Sequence, residues 1–523
     1  MKNIFFLIFV ILNCSCNSIK FVNEYSFLNN PTSNSLTDNI NLQNWHNLDP
    51  EIDSIPGTSV ERAYDELLNG LKGKKVIVAV IDTGLDIDHL SLSNNIWINK
   101  DEKLNRKDDD KNGYIDDIYG WNYLGTSYNE TRDMTRILRD NQVDNIKYSL
   151  VEEEIRKEIK KSNEQLNILN YYIQILEFSK GVISENLDNT KFTIEDVNKI
   201  KTEDEKLNRA KNIYIDFESI GYTKEYLNEG IEQYNDFINY HFNIDFNGRT
   251  SNDNIYDIND TDYGDSNINN IKDSESHSTH VSGIISGDRN NKKGNKGINN
   301  LVEIMALRAI PNGDEYDKDV ARAIRYAVDN GAKIINGSFG KYFSSNPEWV
   351  IDAIRYASKK DVLVVAAAGN ESKDLDLLSN DNYPNDQFFN KNEFSDTFIK
   401  VGASTINLNE NFTAYFSNYG KINVDIFAPG VDIYSSVPND KYKFQDGTSM
   451  ASPVVSGIAS LIMSYFPKLS AKKVKEIILK SGIDIDLKIG NLGSNKHFRE
   501  YSKSGKLINA YNALILASKS KRE

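Results

Sequence analysis

The chain is poor in cysteine. Its 523 residues include two, Cys14 and Cys16, both near the N-terminus. The folded body therefore has no disulfide, whatever its compartment. A positive charge excess is missing as well. The net charge of −15 argues against nucleic-acid binding as a main role. The apolar run at residues 4–12 is too short to cross a bilayer as a mature helix. Following Met1-Lys2-Asn3, it has the charged start and short apolar core of a secretory signal. What the chain does have is apolar content: 39% of its residues are hydrophobic, ample for a large core.

The most informative stretch is Asp446-Gly447-Thr448-Ser449-Met450-Ala451-Ser452-Pro453. It sets a serine among small residues just before an apolar run (Val454, Val455, Ile458, Ala459, Leu461, Ile462) that reads as a buried helix. A serine there can be exposed to substrate, with its N–H free to face a developing oxyanion. Serine alone is a weak nucleophile and needs a base. Two segments can supply one. Val76-Ile77-Val78-Ala79-Val80-Ile81 reads as a buried parallel strand ending in Asp82-Thr83-Gly84, where open α/β sheets place their sites. His277-Ser278-Thr279-His280-Val281-Ser282-Gly283 puts a histidine before a tightly packed, small-residue helix.

Together these segments resemble the subtilases, the subtilisin-like serine proteases, in motif and in the chain order Asp, His, Ser. The resemblance implies that Asp82 orients the imidazole, His277 (not His280) is the base and Ser449 is the nucleophile. It implies acyl transfer through an acyl-enzyme, with no cofactor required for catalysis. Val362-Leu363-Val364-Val365-Ala366-Ala367-Ala368-Gly369-Asn370 ends in the asparagine that, by resemblance, donates to the oxyanion. Ala332-Lys333-Ile334-Ile335-Asn336-Gly337-Ser338-Phe339-Gly340 resembles one wall of the substrate cleft. There Ser338 and Gly340 would pair with the backbone of a protein or peptide substrate. Ser278 stands where the family usually has glycine, and serine would be strained if that position needs positive φ. A catalytically silent subtilase scaffold acting as a binding module is the alternative reading.

Strand-like runs at 76–81, 333–336 and 362–367 alternate with helical patterns at 319–329, 348–359 and 452–464. This is an α/β pattern with a mainly parallel sheet flanked by helices. Along the chain we expect a signal at 1–16, a polar tether at 17–44 and one peptidase domain at 45–520. Cys14 or Cys16 resembles a bacterial lipoprotein processing site, so the chain is expected in the cell envelope. It would meet the membrane through an N-terminal lipid, or else be plainly secreted. A helix is expected at 59–68, and closing helices near 470–479 and 507–514.

Asp82 and His277 stand 195 residues apart, far more than in compact relatives, so an insertion is placed at 127–260. Its stripes predict helices over 151–178, from Thr193 with Asp196 in capping-box position, and over 223–241. It is either a lid over the cleft or a solvated decoration packed on itself. Before it, Asp108, Asp110, Asn112 and Asp116 are spaced like half of a calcium loop. Tyr119 replaces the final glutamate, so the site would be completed from elsewhere, or the segment is an acidic turn.

Overall fold

The computed structural model describes residues 42–140, 145–291, 294–387, 392–490 and 496–520. The signal, tether and cysteines expected within 1–41 lie outside the described residues. Seven strands run parallel: β1 Val76–Asp82, β2 Gly120–Asn122, β3 Val302–Arg308, β4 Ile334–Gly337, β5 Leu363–Ala367, β6 Phe398–Ser404 and β7 Ile426–Pro429. β8 Ile433–Val437 and β9 Lys441–Gln445 form a hairpin. The short strands β10 Ile483–Asp484, β11 Lys488–Ile489, β12 Lys496–His497 and β13 Lys506–Leu507 follow. The nine-stranded sheet has the order β10-β13-β7-β6-β5-β4-β1-β3-β2, antiparallel only between β10 and β13.

The helices are α1 Val60–Arg62 (continued by a π-helical turn, Ala63–Leu68), α2 Asp133–Arg139, α3 Asn145–Leu187, α4 Ile194–Lys199, α5 Glu205–Ser219 and α6 Lys224–Asp236. Next come α7 His277–Ser286, α8 Asp317–Asp329, α9 Pro347–Lys359, α10 Thr448–Tyr465, α11 Ala471–Ser481 and α12 Ala510–Lys519. No helix among the described residues is long and apolar enough to cross a membrane.

The two faces of the sheet follow from the period of two in a strand. Along β1, Val78 and Val80 join a core with Ile284 of α7 and Val454, Val455 and Ile458 of α10. Ala79 and Ile81 face the other way, into a core with Ile324 of α8 and Ile354 of α9. Both faces are covered, which explains why these strands read as continuous apolar runs.

The insertion differs in detail from the sequence expectation. Its first helix is one 43-residue rod, α3, about 65 Å long at 1.5 Å per residue. Thr193 and Asp196 form the expected capping box, but that helix ends at Lys199 because Ile200 turns extended. Asp204 accepts from the Leu207 N–H and starts α5 as a new helix. Leu176, Ile183, Val197, Leu207, Tyr214 and Leu227 give the insertion a core of its own. Buried ion pairs tie its roots to the body: Asp133–Lys341 at 2.8 Å and Arg249–Asp319 at 2.6 Å. The closing helix starts at Ala510 rather than 507, because Lys506–Leu507 adds a strand to the sheet and Asn509 caps the helix.

Candidate active site

Neighbouring strands lie about 4.8 Å apart, so the carboxyl ends of β5, β4 and β1 converge on one region. Asp82 is the last residue of β1. Its partners across the sheet are set by the register, with Val80 opposite Asn336 and Asn336 opposite Val365. His277 opens α7 and meets Asp82 directly, Nδ1 to Oδ1, at 2.7 Å. That oxygen also accepts the Thr83 N–H. Asp82 is 2% exposed and His277 34%, so the carboxylate is enclosed while the ring reaches the cleft. Burial works against the imidazolium, but the Asp82 charge and hydrogen bond outweigh it. The His277 pKa therefore lies above the ordinary histidine value.

His280 is a different kind of histidine. Its Nε2 lies 3.0 Å from the Lys443 carbonyl, and burial lowers its pKa to about 3. It is a neutral packing group. Ser278 sits inside the first turn of α7 and is absent from the residues with positive φ, so the strain considered for it does not arise. Its N–H donates to Thr83 Oγ1 at 3.1 Å.

Ser449 is the second residue of α10 and half-buried. Its hydroxyl donates to the Ser338 carbonyl at 2.9 Å, and no hydrogen bond joins it to His277 among the described residues. The Ser338 hydroxyl turns inward to the Ser449 carbonyl at 2.9 Å. What Ser338 offers the cleft is therefore its main chain. Gly340 lies where a Cβ would come 2.9 Å from the Tyr383 carbonyl.

Asn370 follows β5 across Gly369, which has φ +100°. Its Oδ1 accepts both the N–H and the hydroxyl of Thr448 at 2.9 Å. With the oxygen held, Nδ2 is left facing the serine turn. Gly447 shows where. It has φ 151° and ψ 159°, backbone essentially reserved for glycine. A Cβ there would lie 3.5 Å from Ser449 N and 3.6 Å from Asn370 Nδ2. The two donors thus border one small space, kept open by a residue without a side chain.

Several residues around this site carry no signal in the sequence, or a weak one. Asn336, fully buried in β4, donates to the Ser338 hydroxyl and accepts from Ser452 and Ser456, pinning α10 to the sheet. A lone asparagine in an apolar strand was its only hint. Glu275 and Arg308, buried behind Asp82, had none.

The acidic segment departs from a calcium loop. Oxygens of Asp108 and Asp110 gather with Glu102 within 4.8 Å. Asp116 instead accepts the N–H groups of Asn105 and Arg106. Asn112 gives its amide to Asp110 and Asp117. Glu102 was missed because it precedes the spaced motif.

Residues 73–502 match the family model described as "Subtilase family". The chain belongs to the subtilase family. It is 36% identical over 261 residues to a thermophilic serine proteinase of Bacillus sp. (strain AK1), covering 50% of this chain and 55% of that protein. It is 35% identical over 234 residues to a cell wall-associated protease of Bacillus subtilis (strain 168), covering 45% and 24%. Thermitase of Thermoactinomyces vulgaris matches at 36% over 189 residues, covering 36% and 61%. The chain thus spans less than two thirds of each of these relatives. A solved structure of the prenylagaramide maturation protease PagA has 28% identity and a TM-score of 0.38, covering 47% of this chain and 83% of that one. In this subtilase, the three motif segments lie at carboxyl ends of neighbouring strands or at the heads of α7 and α10.

Proposed function

We propose that this subtilase is a serine endopeptidase working through Ser449, His277 and Asp82. The observation that carries the reading is the 2.7 Å contact between His277 and the enclosed Asp82. It fixes the tautomer with the proton on Nδ1 and leaves Nε2 free as the base. Ser449 Oγ attacks the peptide carbonyl as His277 takes its proton. The Ser449 N–H and Asn370 Nδ2 then donate to the oxyanion. His277 returns the proton to the leaving amine, and water releases the acyl-enzyme. Polypeptide substrates would lie along 338–340 as an added strand.

The binding-module alternative draws on one observation: the Ser449 hydroxyl donates to Ser338 rather than to His277. Without substrate, such contacts are often unformed. A fluorophosphonate probe separates the readings. Covalent labelling of the wild type that is lost in Ser449→Ala supports the enzyme; a folded wild type that takes no label supports the scaffold.

Three further readings accompany this one. Glu102, Asp108 and Asp110 offer hard oxygen donors suited to a structural calcium ion. Export with lipid attachment at Cys14 or Cys16 is tested by fatty-acid labelling of cells. The insertion acts as a flank of the cleft: α6 borders a crevice of about 450 Å³ with Ser276, and its Glu229 meets Lys443 of β9 at 2.7 Å. Deletion of 127–260 is expected to change selectivity between peptides and proteins; unchanged selectivity leaves it a decoration.

A further inference from the structure

We propose that the buried Glu275–Arg308 pair is a positioning device that couples the root of the helical insertion to the Asp82–His277 contact. The inference rests on the protease reading for its consequence, and on geometry for its form. Glu275 precedes His277 by two residues, and Gly84 follows Asp82 by two. One Glu275 oxygen accepts the Gly84 N–H at 2.8 Å and Arg308 Nε at 2.7 Å. The other accepts the Ile271 N–H at 2.7 Å. A single carboxylate therefore joins the turn after Asp82 to the loop that delivers His277. The fit is close: a Cβ on Gly84 would lie 2.5 Å from Asn270 Cα.

Arg308 extends the connection. It ends β3 in register with Asp82. Its Nη1 donates to Asn122 Oδ1 and to the Gly125 carbonyl, each at 3.0 Å, and its Nη2 to the Ser127 carbonyl at 2.8 Å. Residues 122–127 are the exit from β2 into the insertion. The guanidinium thus holds that exit with one edge and the Glu275 carboxylate with the other. Arg308 and Glu275 are 1% and 4% exposed. A buried ion pair is a poor source of stability, because desolvation offsets most of its attraction. What this one supplies is direction, through six hydrogen bonds that fix three segments against one another.

The test follows the His277 imidazole titration by NMR, which needs no turnover, beside kcat and KM on a small chromogenic peptide. Charged or titratable neighbours of the ring are Asp82 and the neutral His280. In Glu275→Gln, a loosened Asp82–His277 contact is expected to move the His277 titration down toward the ordinary histidine value. kcat is expected to fall roughly ten- to hundredfold with KM within about twofold. The acid limb of activity should move to lower pH with it. A folded variant with the wild-type titration and kcat would overturn the proposal. If Glu275→Gln does not fold, Arg308→Lys keeps a cation but loses the planar donor fork. It is expected to shift the titration the same way, and an unmoved titration overturns the coupling. Absence of fluorophosphonate labelling in the wild type would instead overturn the protease reading, and leave the titration test standing.

Discussion

In the proposed mechanism Asn370 performs two separable tasks, and one substitution divides them. Its Oδ1 holds the head of α10 through two hydrogen bonds to Thr448, both 2.9 Å. Its Nδ2 borders the space beside Ser449 N. Asn370→Asp keeps an acceptor for Thr448 and replaces the donor with a charged oxygen. Losing one oxyanion donor costs about 10²–10³ in kcat, roughly 3–4 kcal/mol. The added negative charge opposes the developing oxyanion, so the upper end is expected. Thermal stability should stay near wild type. Asn370→Ala removes both tasks. It leaves the buried Thr448 N–H without its acceptor, which costs about 1–3 kcal/mol besides the loss of rate. The assay is kcat and KM on a chromogenic peptide, with thermal unfolding of each variant. An Asn370→Asp protein retaining kcat within about twofold would refute the oxyanion reasoning. Equal destabilisation in both variants would refute the division of tasks.

Asp82→Asn should lower kcat by about 10⁴-fold. Removing the carboxylate withdraws support for the imidazolium, so the acid limb of the pH profile should move to lower pH; an unmoved limb would count against the pair. Three buried histidines weaken the fold in acid: His46 and His280 have pKa values lowered to about 3, and His241 to about 4, chiefly by burial. Their folded values lie below the unfolded value near 6.5, so the stability they carry is present above that pH and is lost as pH falls toward 4. Each contributes a slope of about 1.4 kcal/mol per pH unit, opposed in the same window by the buried carboxyls of Glu315, Asp386 and Asp117, which burial raises to about 7, about 8 and about 6. His277, raised in the folded state, is charged in both states below 6.5 and adds no slope there. A His46→Gln variant whose thermal midpoint keeps the wild-type pH dependence between pH 6.5 and 5 would contradict the histidine contribution. Added calcium should raise the thermal midpoint, with about 2.7 kcal/mol of stabilisation at a hundredfold excess over Kd. Glu102→Gln should abolish that response, and a chelator-insensitive wild type would remove the calcium reading.

Much of this arrangement was legible before any coordinates. The β1 run could be read because both faces of that strand are buried, making it apolar throughout. The head of α10 could be read because Gly447, Thr448 and Ser449 serve a local turn and a helix start. The capping box at Thr193 is equally local. Less legible was the break between α4 and α5, where Asp204 capping outweighs a continuous apolar stripe. Asp116 stands outside the Glu102, Asp108 and Asp110 group, and its backbone partners, Asn105 and Arg106, lie upstream of the spaced motif. Glu275 and Arg308 are charged residues that look like surface in sequence, and become buried only when β1, β3 and the loop before α7 assemble.

By itself, the chain of residues determined which chemical groups are available and which local elements carry them. Hydrophobic period, helix capping and glycine-dependent turns act over a few residues and leave their mark there. Tertiary structure alone decided the distances: a carboxylate 195 positions away meets the His277 ring, while the Ser449 hydroxyl turns to Ser338. It also decided that the insertion closes its own core. Those outcomes depend on packing between segments remote in the chain, where no local pattern records the partner.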